Sequence, residues 1–416
     1  MLDITLSLPY GSIKQVFTIS EINFAGSLCP QFGQHSEPMQ LLKEALQHPV
    51  NSTQLQEFIQ NKRILIIVND ASRATPTDKI ISFLQTVIPF DNIEFLVAVG
   101  SHRSQKEEDL KQIFGQFYEM YRKKIRFHDS HSPSSLVTVG ISSFGNEILL
   151  NHSIQKADGI LVIGSVEPHY FAGFTGGRKS FLPGIAGFES ITRNHKLALS
   201  KGVNPLALHG NPVHEEMDSV LAMIEVPIFS IQTVLDCHDE IVFAAAGCIR
   251  RSFQLAVEAS RSLYAIPVEE KADIIVASVT PPLDGSLYQA HKAIENTRQV
   301  LKDDGILILV APCQNGVGDN PGFVEILSES ESPKAAMAFA EENYQLGYHK
   351  VARLAELMEK AQLWAVSELS EHLLNRIFFR GFNSLQGAVD SALALKPDAK
   401  ILVVEAAGMT VPYLND

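Results

Sequence analysis

Short, mainly apolar runs recur along this chain, and each is followed by a Gly- or Asp-containing turn and then an amphipathic stretch. Residues 63–68 (RILIIV), 93–99 (IEFLVAV), 159–164 (GILVIG), 272–279 (ADIIVASV), 305–311 (GILILVA) and 401–404 (ILVV) are such runs. A strand with one face in water alternates apolar and polar residues, whereas a strand covered on both faces does not. The runs therefore read as buried parallel strands. The stretches 77–87, 105–114, 333–343, 350–361 and 385–395 read as the helices that cover them. The expected fold class is α/β: two domains with mainly parallel sheets flanked by helices, and an active site in the interdomain cleft. Residues 225–246 depart from the rhythm by being strand-rich, and 251–264 reads as a helix. Residues 266–272 (IPVEEKA) carry a Pro and three charges and read as a linker. The expected domains are thus 1–268 and a smaller α/β unit, 269–416.

The 416 residues hold 34 Lys plus Arg against 47 Asp plus Glu, a formal charge of −13. That balance argues against a nucleic-acid or anionic-membrane surface, both of which call for clustered cations. It leaves room for a small anionic ligand in a local cationic pocket. The longest apolar runs, 64–68 and 306–312, fall far short of the roughly 18 to 20 residues of a spanning helix. The N-terminus has no basic region followed by an apolar one, so it does not read as a secretory signal. Cys29, Cys237, Cys248 and Cys313 form no C-x-x-C pair. The expectation is a cytoplasmic protein with free, mostly buried thiols.

Ligands of open α/β sheets bind beyond the carboxyl ends of the strands, and three polar clusters stand at such ends. The first is D-A-S-R-A-T-P, residues 70–76. Arg73 is a candidate for bidentate capture of a carboxylate or phosphate. Thr75 and Pro76 also suit a helix N-cap followed by Pro at the first helical position, which leaves Asp70 and Arg73 unexplained. The second is Gly100-Ser101-His102-Arg103, where His102 is placed for acid–base work or, more blandly, for capping. The third runs from Glu167 through His169, Gly173, Gly176, Gly177 and Lys179 to Pro183-Gly184. It is not a phosphate loop: counting from Gly173, Arg178 stands where that motif has Gly, and Pro183-Gly184 follows where it has a helix. The glycines suggest close approach of the backbone to a ligand, and Lys179 could be a nucleophile or covalent anchor. Its neighbours Phe174, Phe181 and Leu182 argue against a plain solvated lysine.

Arg193-Asn194-His195-Lys196 follows, at the expected start of a helix. His102, His169 and His195 could together form a His₃ zinc site, although they lie far apart in sequence. His35, His48 and His349 have surface-like contexts, and His209 and His214 read as structural. Gln289 and Lys292 lie three apart on one helical face, so both could point into one cleft or sit on an ordinary exposed helix start.

Taken in order, D-x-x-R-x-T-P, G-x-H-R, E-P-H-Y-F-A-G-F-x-G-G-x-K-x-x-x-P-G, R-N-H and Q-x-x-K resemble the nickel-dependent lactate racemase family over nearly the whole chain. The resemblance implies a racemase or epimerase of a small 2-hydroxy acid, lactate or a related one. It implies a nickel-pincer nucleotide, a pyridinium-3,5-bisthiocarboxylic acid mononucleotide carrying nickel. This group would be attached covalently at Lys179, with His195 completing the metal's square plane. The paired bases map to His102 and His169. Asp70, Ser72, Gly176 and Gly177 map to cofactor binding, and Arg73, Gln289 and Lys292 to substrate binding. The resemblance also implies cofactor-biosynthesis proteins as partners, and places the lysine and histidines in the first domain with the second closing over them. The family commonly has Thr where this chain has Ser72, and the hydroxyl is kept.

The residue types suit that chemistry. The α-hydrogen of a 2-hydroxy acid is a very weak acid, so inversion through a carbanion is hard. Removal as hydride, with a base taking the hydroxyl proton, gives a planar 2-keto acid that can be reduced from either face. Two bases, one per enantiomer, then follow from symmetry. The rival readings each leave something over. A His₃ zinc hydrolase gives Lys179 no role, a lysine Schiff-base lyase leaves three histidines idle, and an anion-binding protein has no covalent adduct. An epimerase of a larger hydroxy or sugar acid shares the same cofactor.

Overall fold

The computed structural model describes residues 2–31, 37–102, 106–318, 320 and 322–415. The chain forms two compact units. One comprises Phe32–Glu167 and Phe171–Arg261; the other comprises Met1–Gln31, Pro168–Tyr170 and Ser262–Asp416. The N-terminal 31 residues thus group with the C-terminal part of the chain, and the second long crossing falls between residues 261 and 262.

The unit built on Phe32–Glu167 and Phe171–Arg261 has a six-stranded sheet. Its strands run in the order Ile241–Gly247, Ile228–Leu235, Gly159–Ser165, Ile64–Asn69, Ile93–Ala98, Ile125–Phe127. Every pairing is parallel except the first. That exception is a hairpin, turned through Asp239 at φ 59°, which accounts for the strand-rich stretch at 225–246. Ile64, Ile66 and Val68 point into a core with Phe95, Leu161 and Phe229, closed by Ile80, Ile81 and Leu84 of helix Thr77–Leu84 and by Ile113 and Phe114 of Glu107–Phe114. Leu65 and Ile67 point the other way and are buried too, as the unbroken apolar run demanded. Burial of each such side chain contributes about 1.5–3 kcal/mol.

The other unit has an all-parallel sheet in the order Phe379–Phe382, Gln362–Val366, Leu301–Val310, Ala272–Ser278, Ile401–Val404, Phe24–Leu28. The hairpin Asp3–Tyr10 and Ile13–Ser20 lays Leu8, Tyr10, Phe17 and Ile19 into its core, beside Leu385, Ala388, Val389 and Ala392 of helix Leu385–Leu395. The expected linker at 266–272 is mostly a strand: Ala265–Val268 pairs in parallel with Val411–Leu414. Pro267 is tolerated because this two-stranded pair asks for bonds on one side only.

Among the described residues no helix is long and apolar enough to cross a membrane. All four thiols are free, but only Cys313 is buried; Cys29 and Cys237 are exposed, against the expectation of mostly buried cysteines.

Candidate active site

Where strand Ile64–Asn69 ends, the chain turns on itself. Asp70 is 4 % exposed. Its Oδ1 accepts from the Ser72 hydroxyl at 2.6 Å and the Ser72 amide at 3.2 Å, and its carbonyl accepts from the Arg73 amide at 3.2 Å. Its Oδ2 lies 2.7 Å from His102 Nδ1, just past the end of strand Ile93–Ala98. Burial alone would raise the Asp70 carboxyl, but His102, Ser72 and Arg73 hold it below its ordinary 3.8. An ionised Asp70 accepts from Nδ1–H of His102 and leaves Nε2 of this exposed imidazole to exchange protons. Arg103, beside it in sequence, lies outside the described residues.

Thr75 is not the helix cap that the sequence suggested. Pro76 occupies the N-cap position, and the Thr75 hydroxyl bonds Asn69 Nδ2 at 2.7 Å and Ser165 Oγ at 2.8 Å. It ties the ends of two neighbouring strands. Arg73 Nη1 donates to Glu167 Oε1 at 2.8 Å. Sequence reasoning gave Glu167 no role, although it opens the E-P-H motif.

In the glycine-rich loop, Gly173, Gly176 and Gly177 all have positive φ. A Cβ on Gly176 would come within 2.6 Å of Val166 Cγ2, and one on Gly177 within 2.9 Å of the Phe253 ring. Packing of protein against protein, not only approach to a ligand, therefore demands glycine here. The Arg178 side chain turns inward and is 1 % exposed. It donates to the carbonyls of Ala172 at 2.7 Å, Gly176 at 3.3 Å and Thr175 at 3.4 Å, and its guanidinium lies 4.3 Å from the Phe253 ring centroid. Burial pushes its pKa down to about 9. With Arg178 pinned inside, Lys179 is the half-exposed cation of the loop. From residue 159 to residue 187 only Glu167, His169, Lys179 and Pro183 escape burial, and three of these four bear chemistry.

The R-N-H motif sits in the last turn of helix Phe188–Lys196, not at its start as expected. Glu189 occupies the first turn and Arg193, His195 and Lys196 the last, the arrangement the helix dipole favours. Fully buried Asn194 anchors that turn by donating to Glu216 Oε2 at 2.9 Å. His195 packs edge-on against Phe171, ring centroids 5.0 Å apart, and Lys179 Nζ lies 5.7 Å from the centroid of the same ring. His214 is held structurally: it stacks on Phe253, and burial together with the Arg178 charge pushes its pKa down to about 3.

The unit containing residues 262–416 holds the remaining candidates. Of helix Leu287–Thr297, only Tyr288, Gln289 and Lys292 are half-exposed and the rest is buried, so this is no ordinary solvated helix start. His169 groups with this unit, carried on the short segment Pro168–Tyr170. His349, read from the sequence as a surface residue, is 2 % exposed. His35 lies outside the described residues. Among the described residues no three His, Cys, Asp or Glu side chains are grouped to hold a metal, so the His₃ zinc reading finds no such cluster.

Two family models match, described as the lactate racemase N-terminal domain over residues 10–205 and the lactate racemase C-terminal domain over residues 268–412. The chain belongs to the lactate racemase family. Its curated relatives include the lactate racemases of Lactiplantibacillus plantarum, 31 % identical over 343 residues, and Thermoanaerobacterium thermosaccharolyticum, 29 % identical over 344 residues. Each match covers 80 % of both chains. The fold is similar to the lactate racemase apoprotein structure from T. thermosaccharolyticum, with a TM-score of 0.91 at 26 % identity over 99 % of this chain and all of that one. A Thermotoga maritima protein at 18 % identity shares the fold, with a TM-score of 0.69 over 92 % of this chain and all of that one. The chain is accordingly an isomerase of the racemase type.

Proposed function

We propose that this racemase inverts the hydroxyl-bearing carbon of a small 2-hydroxy carboxylate, lactate first among the candidates, using a nickel-pincer nucleotide held at Lys179. The observation that carries the reading is the pairing of Lys179 and His195 about the Phe171 ring. A group that is bonded to a lysine and ligated by an imidazole needs an amine and an imidazole in one neighbourhood, and their common neighbour Phe171 supports that placement. The cofactor, when bound, supplies an electrophilic ring carbon that accepts and returns hydride.

The chain's own residues do the rest. His102, oriented by ionised Asp70, takes the hydroxyl proton of one enantiomer, and His169 serves the other. Arg73 holds the substrate carboxylate, with Glu167 fixing the guanidinium. Gln289 and Lys292, half-exposed on a buried helix, add polar contacts to substrate. Ser72, Gly176 and Gly177 shape the loops that carry Asp70 and Lys179. We place the protein in the cytoplasm, beside the enzymes that build and load its cofactor; its two exposed free thiols suit a reducing compartment.

The holoenzyme, made in a host that supplies the cofactor, should erase the optical rotation of single-enantiomer lactate, malate or an aromatic 2-hydroxy acid, or change that of a sugar-derived one. Turnover of an amino acid or an ester instead, with every hydroxy acid untouched, overturns the substrate class.

Asp70→Asn is expected to leave the fold intact while favouring the wrong His102 tautomer, lowering kcat by about 10²–10⁴-fold. The folded-state pKa of Asp70 is depressed, so its support of His102 is present above the ordinary carboxylate range and is lost only as pH falls through the lower value. Wild type should therefore keep this support throughout pH 6–9; in the variant the amide has no carboxyl to ionise, so raising the pH over the same range should not rescue it, and recovery there would show that Asp70 acts otherwise.

A further inference from the structure

The chain joins the unit of residues 262–416 for only three residues at Pro168–Tyr170, with the stretches on both sides belonging to the other unit. The excursion forms the two-residue strand Pro168–His169 and carries His169. Tyr170 follows it directly. Its side chain is 3 % exposed. The ring stacks on the His169 imidazole, with centroids 5.2 Å apart and planes 16° apart, and meets His291 edge to face at 5.1 Å and 85°. The Tyr170 hydroxyl lies 3.1 Å from His349 Nε2, and His349 Nδ1 lies 3.2 Å from the Tyr344 hydroxyl. A neutral imidazole has one N–H and one lone pair, and two phenols satisfy both without a buried charge. Burial pushes the Tyr170 hydroxyl well above its ordinary value, so it keeps its proton and stays available for this bond.

We propose that Tyr170 and His349 are positioning residues for His169: the hydroxyl–imidazole bond fixes the tyrosine ring, and the fixed ring holds the plane of the His169 imidazole. The inference rests on the reading of His169 as a base. His169 itself is half-exposed, and the Tyr170 ring covers one face of its imidazole. Misplacement of a reacting group by about 1 Å costs on the order of 10²-fold in rate. A loosened but not lost base should therefore show a smaller deficit, confined to kcat.

The test uses the holoenzyme and four variants. Tyr170→Phe removes one oxygen and His349→Leu removes the bonding partner. Each is expected to lower kcat about 10-fold with KM within about 2-fold, and to broaden the His169 ring signal in the NMR spectrum of histidine-labelled protein. His349→Gln, which keeps a donor and an acceptor, should recover most of the loss. The mass of the Lys179 peptide and the melting temperature of Tyr170→Phe should match wild type, separating positioning from unfolding. Wild-type kcat and an unchanged His169 signal in Tyr170→Phe overturn the proposal, as does His349→Gln recovering no better than His349→Leu. His169→Ala, the fourth variant, is the control on the underlying reading: normal racemisation by it removes His169 from the mechanism, a result distinct from failure of the positioning network.

Discussion

Replacing Lys179 with alanine should leave a chain that folds and melts like wild type and carries no covalent adduct when made in a host that supplies the cofactor. Lys179 is half-exposed on a loop held by its neighbours: Arg178 binds three loop carbonyls and Gly177 donates to Gln232 at 2.8 Å. Truncating it should shift stability by no more than about 0.5 kcal/mol, as for most surface changes. Racemisation should fall to background if, as proposed, Lys179 retains the hydride-accepting group. Intact-mass measurement under denaturing conditions reads this directly. His195→Ala is the complement: the adduct mass stays and nickel, measured by elemental analysis, is lost. An adduct that survives denaturation in Lys179→Ala would sink the assignment.

The second large effect concerns His102 and His169, the bases of the proposed reaction. His102→Ala and His169→Ala should each retain adduct and nickel and lose about 10²–10⁴-fold in turnover, the usual contribution of a positioned acid–base group. Symmetry sharpens this expectation. Enantiomers have equal free energies, so kcat/KM must be identical in the two directions for wild type and for every variant. Losing the base for one enantiomer therefore cannot spare the other: kcat/KM falls by one common factor, and only kcat and KM separately can become unequal. Steady-state rates from each enantiomer check it. Unequal kcat/KM values would mean that the interconverted pair are not mirror images, which is the signature of an epimerase acting on a larger hydroxy acid.

Both predictions concern side chains that stand out in the sequence, and the reason is local. A parallel strand buried on both faces is apolar nearly throughout, so RILIIV, IEFLVAV and GILVIG announce themselves. The first polar residues beyond them lie at the sheet's carboxyl end, where ligands bind. Asp70, Arg73, His102 and the stretch from Glu167 to Lys179 were legible for that reason. The inward turn of Arg178 was not, because neighbouring cations in a glycine-rich loop look alike until the carbonyls around one of them close. The R-N-H motif was placed at the wrong end of its helix, since a polar cluster marks either terminus and only the start at Phe188, behind Gly187, decides which.

By itself the sequence determined the α/β class and most of the central strands, and it singled out the polar residues beyond their ends, because each of these is written in periodicity or motif over a few to twenty residues; the strands Phe24–Leu28, Ile125–Phe127, Gln362–Val366 and Phe379–Phe382 were not legible in it. Tertiary structure alone decided the partnerships. The alternation in Asp3–Tyr10 says that one face of a hairpin is buried, but not that it is buried in a core formed with strands more than 250 residues away. Nothing near Glu167 in the chain points to Arg73, and nothing near Tyr170 points to His349. A hydrogen bond across such separations depends on where two strands or helices come to lie after the apolar faces have packed. The partners of Arg73 and Tyr170 were therefore invisible until the chain was folded.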